Sequence, residues 1–332
     1  MHAHPALSRR TALLGGLAAG LACAGPARAL LPPAATLLVP GPEDGPHARL
    51  ADRFGASLAR SVTTAMRLRQ TVLGGPDGVT AANRFATEGA PDGRTLLLLA
   101  GAAPLARLIG DPRARFDAAG WLPVCAVQGS AVVAGRDALP GPGTAPRFGF
   151  AASDTAGAAV LLGLDMLGLQ ASPVPGLAPQ RPEAALAQGQ VDAVLLTGSD
   201  IALRLAAVGA RPWFTLEAPG ARDPALTDVP SLFDLLLGGP PELRLALGAA
   251  AACARLRAAL VLPALTPATL VADWRGAAQR WLDEEGRQLL SPWLRILTGI
   301  EAGPLLAALT PPPAAVVAYR EWLLRRLNWR PD

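Results

Sequence analysis

The chain has 332 residues, of which 51% are hydrophobic, 17% charged and only 5% aromatic. That length buries one or two sizeable cores, and the composition excludes a disordered chain, a collagen and a coiled coil. The formal charge is +4, and every one of the 30 basic residues is Arg. Arg9, Arg10 and Arg28 fall in the first 29 residues, which hold no acid; without them the surplus is +1, spread along the chain with no basic run. No nucleic-acid partner is therefore expected.

The first 29 residues read as an export signal. Ser8-Arg9-Arg10 opens the segment, an apolar stretch runs from Thr11 to Ala24, and Ala27-Arg28-Ala29 has the small-x-small form of a cleavage site. The apolar stretch is shorter than the roughly 20 residues that span a bilayer. The arginine pair after Ser8 resembles a twin-arginine signal, although Ala12 stands where a bulkier residue is usual. Lipid attachment through Cys23 is the alternative, with Gly20 a poor fit for the expected Leu. Cleavage after Ala29 leaves one His, His47, and two Cys, Cys125 and Cys253. A zinc site of clustered His and Cys is then not expected, nor is any other metal or cofactor. No G-x-S-x-G elbow accompanies His47. The two cysteines sit in apolar surroundings and are read as buried thiols rather than a bridge.

In chain order, Ala35 to Val39 is an apolar run of the kind expected for a buried parallel strand. It ends in the loop Pro40 to Pro46. An amphipathic helix follows, with Leu50, Phe54 and Leu58 on one face and Arg49, Asp52, Arg53 and Arg60 on the other. Gly74 to Gly78 is turn-rich, Thr80 to Thr87 a short helix, and Pro91-Asp92-Gly93 a turn into the strand Thr95 to Leu99. This alternation argues for an α/β fold with a parallel sheet flanked by helices.

A second unit starts near residue 145, after Pro140-Gly141-Pro142-Gly143. Phe148 to Ala151 is its first strand, and a helix from Ala156 to Leu167 stops at Gly168. Pro182 to Gln188 reads as a short helix, with Gln190 to Leu196 and Pro212 to Leu216 as strands. Residues 240–255 look like an added helix. The stretch Leu245 to Leu262 is the most apolar of the remainder and is broken by Arg255 and Arg257. Leu260 to Leu262 is a last strand, and Thr266-Pro267 has the N-cap and first-turn arrangement of a helix. Leu270, Trp274, Ala277 and Trp281 lie at helical spacing, with both tryptophans as core anchors. Glu284-Glu285 is read as a solvated face, and Ala314 to Leu327 as a terminal helix.

Four segments in this order resemble the tripartite tricarboxylate transporter receptors, also called Bug receptors. Ala90-Pro91-Asp92-Gly93-Arg94-Thr95-Leu96-Leu97 is similar to that family's Pro-Asp-Gly-Tyr-Thr-Leu-Leu. Ala184-Ala185-Leu186 with Gly189-Gln190-Val191-Asp192 matches a helix-to-strand turn. Pro224 to Ser231 (Pro-Ala-Leu-Thr-Asp-Val-Pro-Ser) is close to Pro-Ala-Leu-Pro-Asp-Val-Pro-Thr. Leu262 to Pro267 resembles the Ala-Pro-Ala-Gly-Thr-Pro that opens a returning helix.

The resemblance implies a type II periplasmic-binding-protein-like fold, with two mixed, mostly parallel sheets flanked by helices and a cleft between two domains. On that division residues 30–138 plus 240–332 form one domain and 139–239 the other, with hinges near 137–145 and 233–243. The implied function is capture of a small molecule, by default an organic carboxylate, for a membrane transporter or sensor in the periplasm.

Carried over by position, the ligand would meet Gly41, Pro42, Glu43, Asp44, Gly45 and His47 of the first loop. Ser153, Asp154, Thr155, Ala156 and Gly157 form the opposite wall, and Thr197, Gly198 and Ser199 end a strand facing the same cleft. Glu43 and Asp44 depart from the family's glycine-rich loop and would repel an anion if they faced the cleft, which leaves a cationic or neutral ligand open. Asp44, Ser153 and Asp154 also read as helix caps, His47 as a surface residue, and Thr197-Gly198-Ser199 as a strand terminator. Two further readings stay open: an enzyme using Asp44 and Asp154 as an acid–base pair, and a relative that has lost its ligand.

Overall fold

Short apolar runs separated by amphipathic helices build two separate sheets in the computed structural model, which describes residues 31–61, 66–177, 181–283 and 294–331. Residues 1–29, read above as an export signal, with Cys23, and the pair Glu284-Glu285, lie outside the described residues. From its first strand the chain forms β1 (Ala34–Pro40), α1 (Pro46–Ser61), β2 (Arg67–Leu73), α2 (Val79–Glu88), β3 (Thr95–Leu99), α3 (Ala102–Ile109) and β4 (Leu122–Gln128). One residue later β5 (Ser130–Gly135) begins. After it come β6 (Arg147–Gly149), α4 (Ala156–Met166), β7 (Ser172–Val174), α5 (Pro182–Ala187), β8 (Ala193–Gly198), α6 (Ile201–Ala207) and β9 (Arg211–Thr215). The chain then returns through α7 (Leu232–Leu235), α8 (Pro241–Arg255), β10 (Leu256–Leu262), α9 (Ala268–Trp281), β11 (Arg295–Thr298), α10 (Gly299–Ala308) and α11 (Pro313–Leu327).

The first sheet has the order β11-β4-β10-β3-β1-β2 and the second β7-β6-β8-β5-β9. Both are mixed. β1 pairs in parallel with β2 and β3, while β10 runs antiparallel to β3 and β4. In the second sheet β6 is parallel to β7 and β8, and β5 is antiparallel to β8 and β9. Leu96 to Leu99 of β3 are all buried, as expected of a strand covered on both faces.

The first passage between sheets falls at Gly129, between β4 and β5, ahead of the hinge expected at 137–145. The reason is pairing: β5 already belongs to the second sheet through its ladders to β8 and β9. Helix α8 is a core element. Its small residues Ala246 and Ala249 to Cys253 are buried, and it packs against α3, α4, α10 and α11. The helix opened by Thr266-Pro267 begins at Ala268. Pro267 is its cap, and the buried Thr266 hydroxyl donates back to the Pro263 carbonyl at 2.8 Å. Trp274 and Trp281 are buried in the core.

A buried charge cluster ties the passages together. Glu217, just beyond β9, is 2% exposed; it accepts from Arg255 Nη1 at 2.8 Å and from Arg295 Nη2 at 2.7 Å. Gln128, at the end of β4, with its amide oxygen turned to the arginines accepts from Arg295 Nη2 at 2.8 Å and from Arg255 Nη1 at 2.5 Å. Ser231, which closes the Pro224–Ser231 stretch, donates its hydroxyl to the Glu217 carbonyl at 2.6 Å and caps α7. Removing one member of a buried ion pair strands the other, at about 3–5 kcal/mol. Glu217→Leu should therefore lower the unfolding free energy by about that amount in denaturant titration; a change under about 1 kcal/mol would contradict the role given to this cluster.

Asp192 shows what the Gly-Gln-Val-Asp turn does physically. Its carboxylate accepts from the Arg147 backbone at 2.9 Å and from Arg147 Nη2 at 2.8 Å, with Arg136 Nη2 at 3.2 Å. The Arg147 hydrogen bonds hold its pKa at about 2. A carboxyl lowered in the folded state stabilises above its unfolded pKa and loses that contribution as pH falls towards the folded value. Asp192→Asn should flatten the fall in melting temperature between about pH 4 and pH 2 relative to the parent chain; an unchanged acid limb would refute the assignment.

Candidate functional site

Open α/β sheets place ligands beyond the carboxyl ends of their strands, where helices begin. Here β1 leads into α1, β3 into α3, and β6 into α4, and a cavity of about 700 Å³ opens at those turns. Its lining includes Pro46, His47, Arg49, Leu50 and Arg53 of α1, and Ala100, Gly101 and Ala102 at the start of α3. Asp154, Thr155 and Ala156 at the start of α4 contribute too, with Thr197, Gly198 and Ser199 at the end of β8. Cys253, Ala254, Leu256 and Arg257 come from the α8–β10 junction, and Val127 and Leu294 complete an apolar part.

Two features make the cavity electropositive. The first turns of α1, α3 and α4 all lie in its wall, and the caps of α3 and α4, Gly101 and Thr155, make no side-chain cap bond. First-turn amides and the helix dipole favour an anion there. Among the described residues the lining holds the arginines Arg49, Arg53 and Arg257 and the carboxylate of Asp154.

Arg257 is the distinctive group. Its Nε and Nη2 are buried and have no hydrogen-bond partner, and among the described residues no carboxylate offsets its charge. Burial, and then the neighbouring Arg204, push its pKa down. Arg204 itself is satisfied: it pairs with Glu183 at 2.7 Å and donates to the Thr197 carbonyl at 3.1 Å. Arg257 lies over Gly129, where a Cβ would come 2.8 Å from its Nε and make the guanidinium shift. A buried guanidinium without a counter-ion is costly in a closed protein and is what an anion site supplies.

The structure gathers half of the residues expected from sequence. His47, Asp154, Thr155, Ala156, Thr197, Gly198 and Ser199 all line the cavity. Gly41, Pro42, Glu43, Asp44, Gly45, Ser153 and Gly157 are not in its lining. The Gly41 and Gly45 amides are spent within the fold, donating to Leu73 at 3.2 Å and Pro42 at 2.8 Å. Glu43 and Asp44 are exposed, and the Asp44 carbonyl accepts from Arg49. Gly157 is buried against Phe150. Asp44 and Asp154 are thus not brought together in the cavity. Neither Ser153 nor Asp154 caps α4: Thr155 holds that position, its hydroxyl donating to the Ala152 carbonyl at 2.6 Å.

Arg257 was visible in the sequence only as one of two charges interrupting an apolar run. Arg49 and Arg53 were legible as the polar face of α1, which the fold turns towards the cavity. Cys125 and Cys253 are buried free thiols, and burial pushes both up to about 12. Thiolate is the reactive form, so iodoacetamide at about pH 8 should leave both unmodified in the folded chain and alkylate both in denaturant. Peptide mass mapping reads this out, and modification of either in the folded chain would contradict the burial.

No family model matches the chain, and no curated protein matches it. Solved structures do. A TctC solute-binding protein from Polaromonas aligns with a TM-score of 0.62 at 16% identity, covering 88% of this chain and 98% of that one. MatC from Rhodopseudomonas palustris, with bound malate, aligns at 0.51 and 20%, covering 87% and 98%. An R. palustris protein with adipate aligns at 0.53 and 15%, covering 88% and 97%. The chain therefore has the fold of the periplasmic solute-binding proteins, with two mixed sheets flanked by helices.

Proposed function

We propose that the chain is an exported receptor of the tripartite tricarboxylate transporter type, which captures a small organic carboxylate in this cavity. On this reading the two sheets are the centres of two lobes that close on the ligand by a hinge motion, and a membrane transporter or sensor receives the loaded form. The observation that carries it is Arg257, a half-buried cation whose Nε and Nη2 are buried with no counter-ion among the described residues, set beside three helix N-termini. The malate and adipate bound by the R. palustris structures support the same ligand class. The order of the four sequence segments supports the family.

The placement of Glu43 and Asp44 outside the lining favours an anion over a cation, because the repulsion they would exert is not in the cavity. An open cavity of about 700 Å³ also favours a working receptor over one that fills its cleft with its own side chains. The carboxylate pair an enzyme would need from Asp44 and Asp154 is not assembled there.

A thermal-shift series on the full chain with malate, adipate and spermidine tests this. A ligand at a hundredfold its Kd adds about 2.7 kcal/mol of stability, so a carboxylate should raise the midpoint and spermidine should not. Arg257→Met should abolish the carboxylate response, whereas Glu43→Asn with Asp44→Asn should leave it within a factor of about two. A spermidine response that survives Arg257→Met would overturn the ligand class.

A further inference from the structure

We propose that the cavity takes up its anion together with a proton, and that His47 is the group that receives it. The inference deepens the reading of this cavity as a carboxylate site and rests on it.

His47 is the second residue of α1 and the only histidine after the export segment. It lines the cavity, and its Nδ1 is buried with no partner. A buried ring nitrogen left unsatisfied in the unliganded chain is a place for a ligand atom. The charged groups in the cavity wall are Arg257 of β10, Arg49 and Arg53 of the same helix, and Asp154 from the turn before α4. Arg204 of α6 stands behind Arg257. The positive end of α1 adds to the cations. Protonation of His47 in the unliganded cavity is thus opposed by burial, by Arg257 and by its own helix terminus; burial and Arg257 hold its pKa below the ordinary imidazole value, with a backbone hydrogen bond to Arg257 pulling the other way.

A carboxylate seated on the Arg257 guanidinium reverses this balance. It cancels the charge that repels an imidazolium, and a second oxygen can accept from Nδ1–H. The bound state then holds one more proton, on His47, taken from solvent. A pKa raised in the bound state adds affinity below the bound value and loses it above. Carboxylate binding therefore tightens as pH falls through the neutral range, until the ligand itself protonates. A rise of one unit corresponds to about tenfold.

The test is an NMR pH titration of the imidazole ring signals of the full chain, in adipate and in chloride at equal ionic strength, with His47→Gln identifying the His47 signal against His2 and His4. The His47 midpoint should lie below that of the two others in chloride and rise by about one unit in adipate, with adipate affinity roughly three- to sixfold higher near pH 6 than near pH 8, tenfold being the ceiling that one unit sets. His47→Gln should lose that pH dependence. In Arg257→Met, the His47 midpoint should rise in chloride and no longer respond to adipate. If adipate stabilises the chain while the His47 midpoint stays fixed, proton uptake is refuted and the receptor reading stands. If adipate, malate and acetate neither stabilise the chain nor move the His47 signal, both fall together.

Discussion

Two arginines leave the α8–β10 junction two residues apart and meet opposite fates, and the rest of the molecule is arranged around that difference. Arg255 is neutralised by Glu217, in a cluster that gathers the end of β4, the segment just beyond β9, and β11. Arg257 emerges on the cavity side with no carboxylate among the described residues. The first fixes the geometry of the passages between sheets. The second is left with buried nitrogens that have no partner among the described residues, which is the feature the proposed anion site rests on. Burying a paired charge and burying an unpaired one differ by several kcal/mol, so the contrast is an energetic one and not a matter of position alone.

The carboxyl-end rule for parallel strands explains why the cavity lies where it does. β1, β3 and β6 deliver α1, α3 and α4 to one place, and α3 and α4 bring first-turn amides without a side-chain cap. The antiparallel strands β5 and β10 carry the chain between the sheets and bring Arg257 beneath those helix ends. Electrostatics and topology thus favour an anion at one site for independent reasons. The apolar part of the wall, with Leu50, Leu105, Val127, Leu256 and Leu294, suits the carbon skeleton of an organic acid better than an inorganic ion.

Much of the fold was legible because its strands are short apolar runs between clear punctuation. The runs at 35–39 and 95–99, the glycine stop at Gly168 and the helical spacing of Trp274 and Trp281 each follow from local chemistry that tertiary packing reinforces. β2 was not, because Arg67 and Arg69 on one face and Gln70 on the other leave this edge strand without an apolar run. The change of sheet at Gln128-Gly129-Ser130 lies between two apolar strands, and hydrophobicity records burial but not which sheet does the burying. α8 sits centrally because its small residues let four helices approach it. In the site, the residues at strand ends and helix starts were found by position. Arg257 was not, because nothing local distinguishes an arginine that finds an acid across the fold from one that does not. The acidic pair Glu43 and Asp44 misled for the matching reason: proximity in sequence to a cavity-lining helix does not place a side chain in the cavity.

The most direct measurement is a crystal structure of the chain grown with adipate. The account predicts a carboxylate group within hydrogen-bond reach of the Arg257 guanidinium, beside the first turns of α1 and α4. Arg257 paired instead with a carboxylate of its own chain, and adipate absent from the cavity or bound elsewhere, would contradict it.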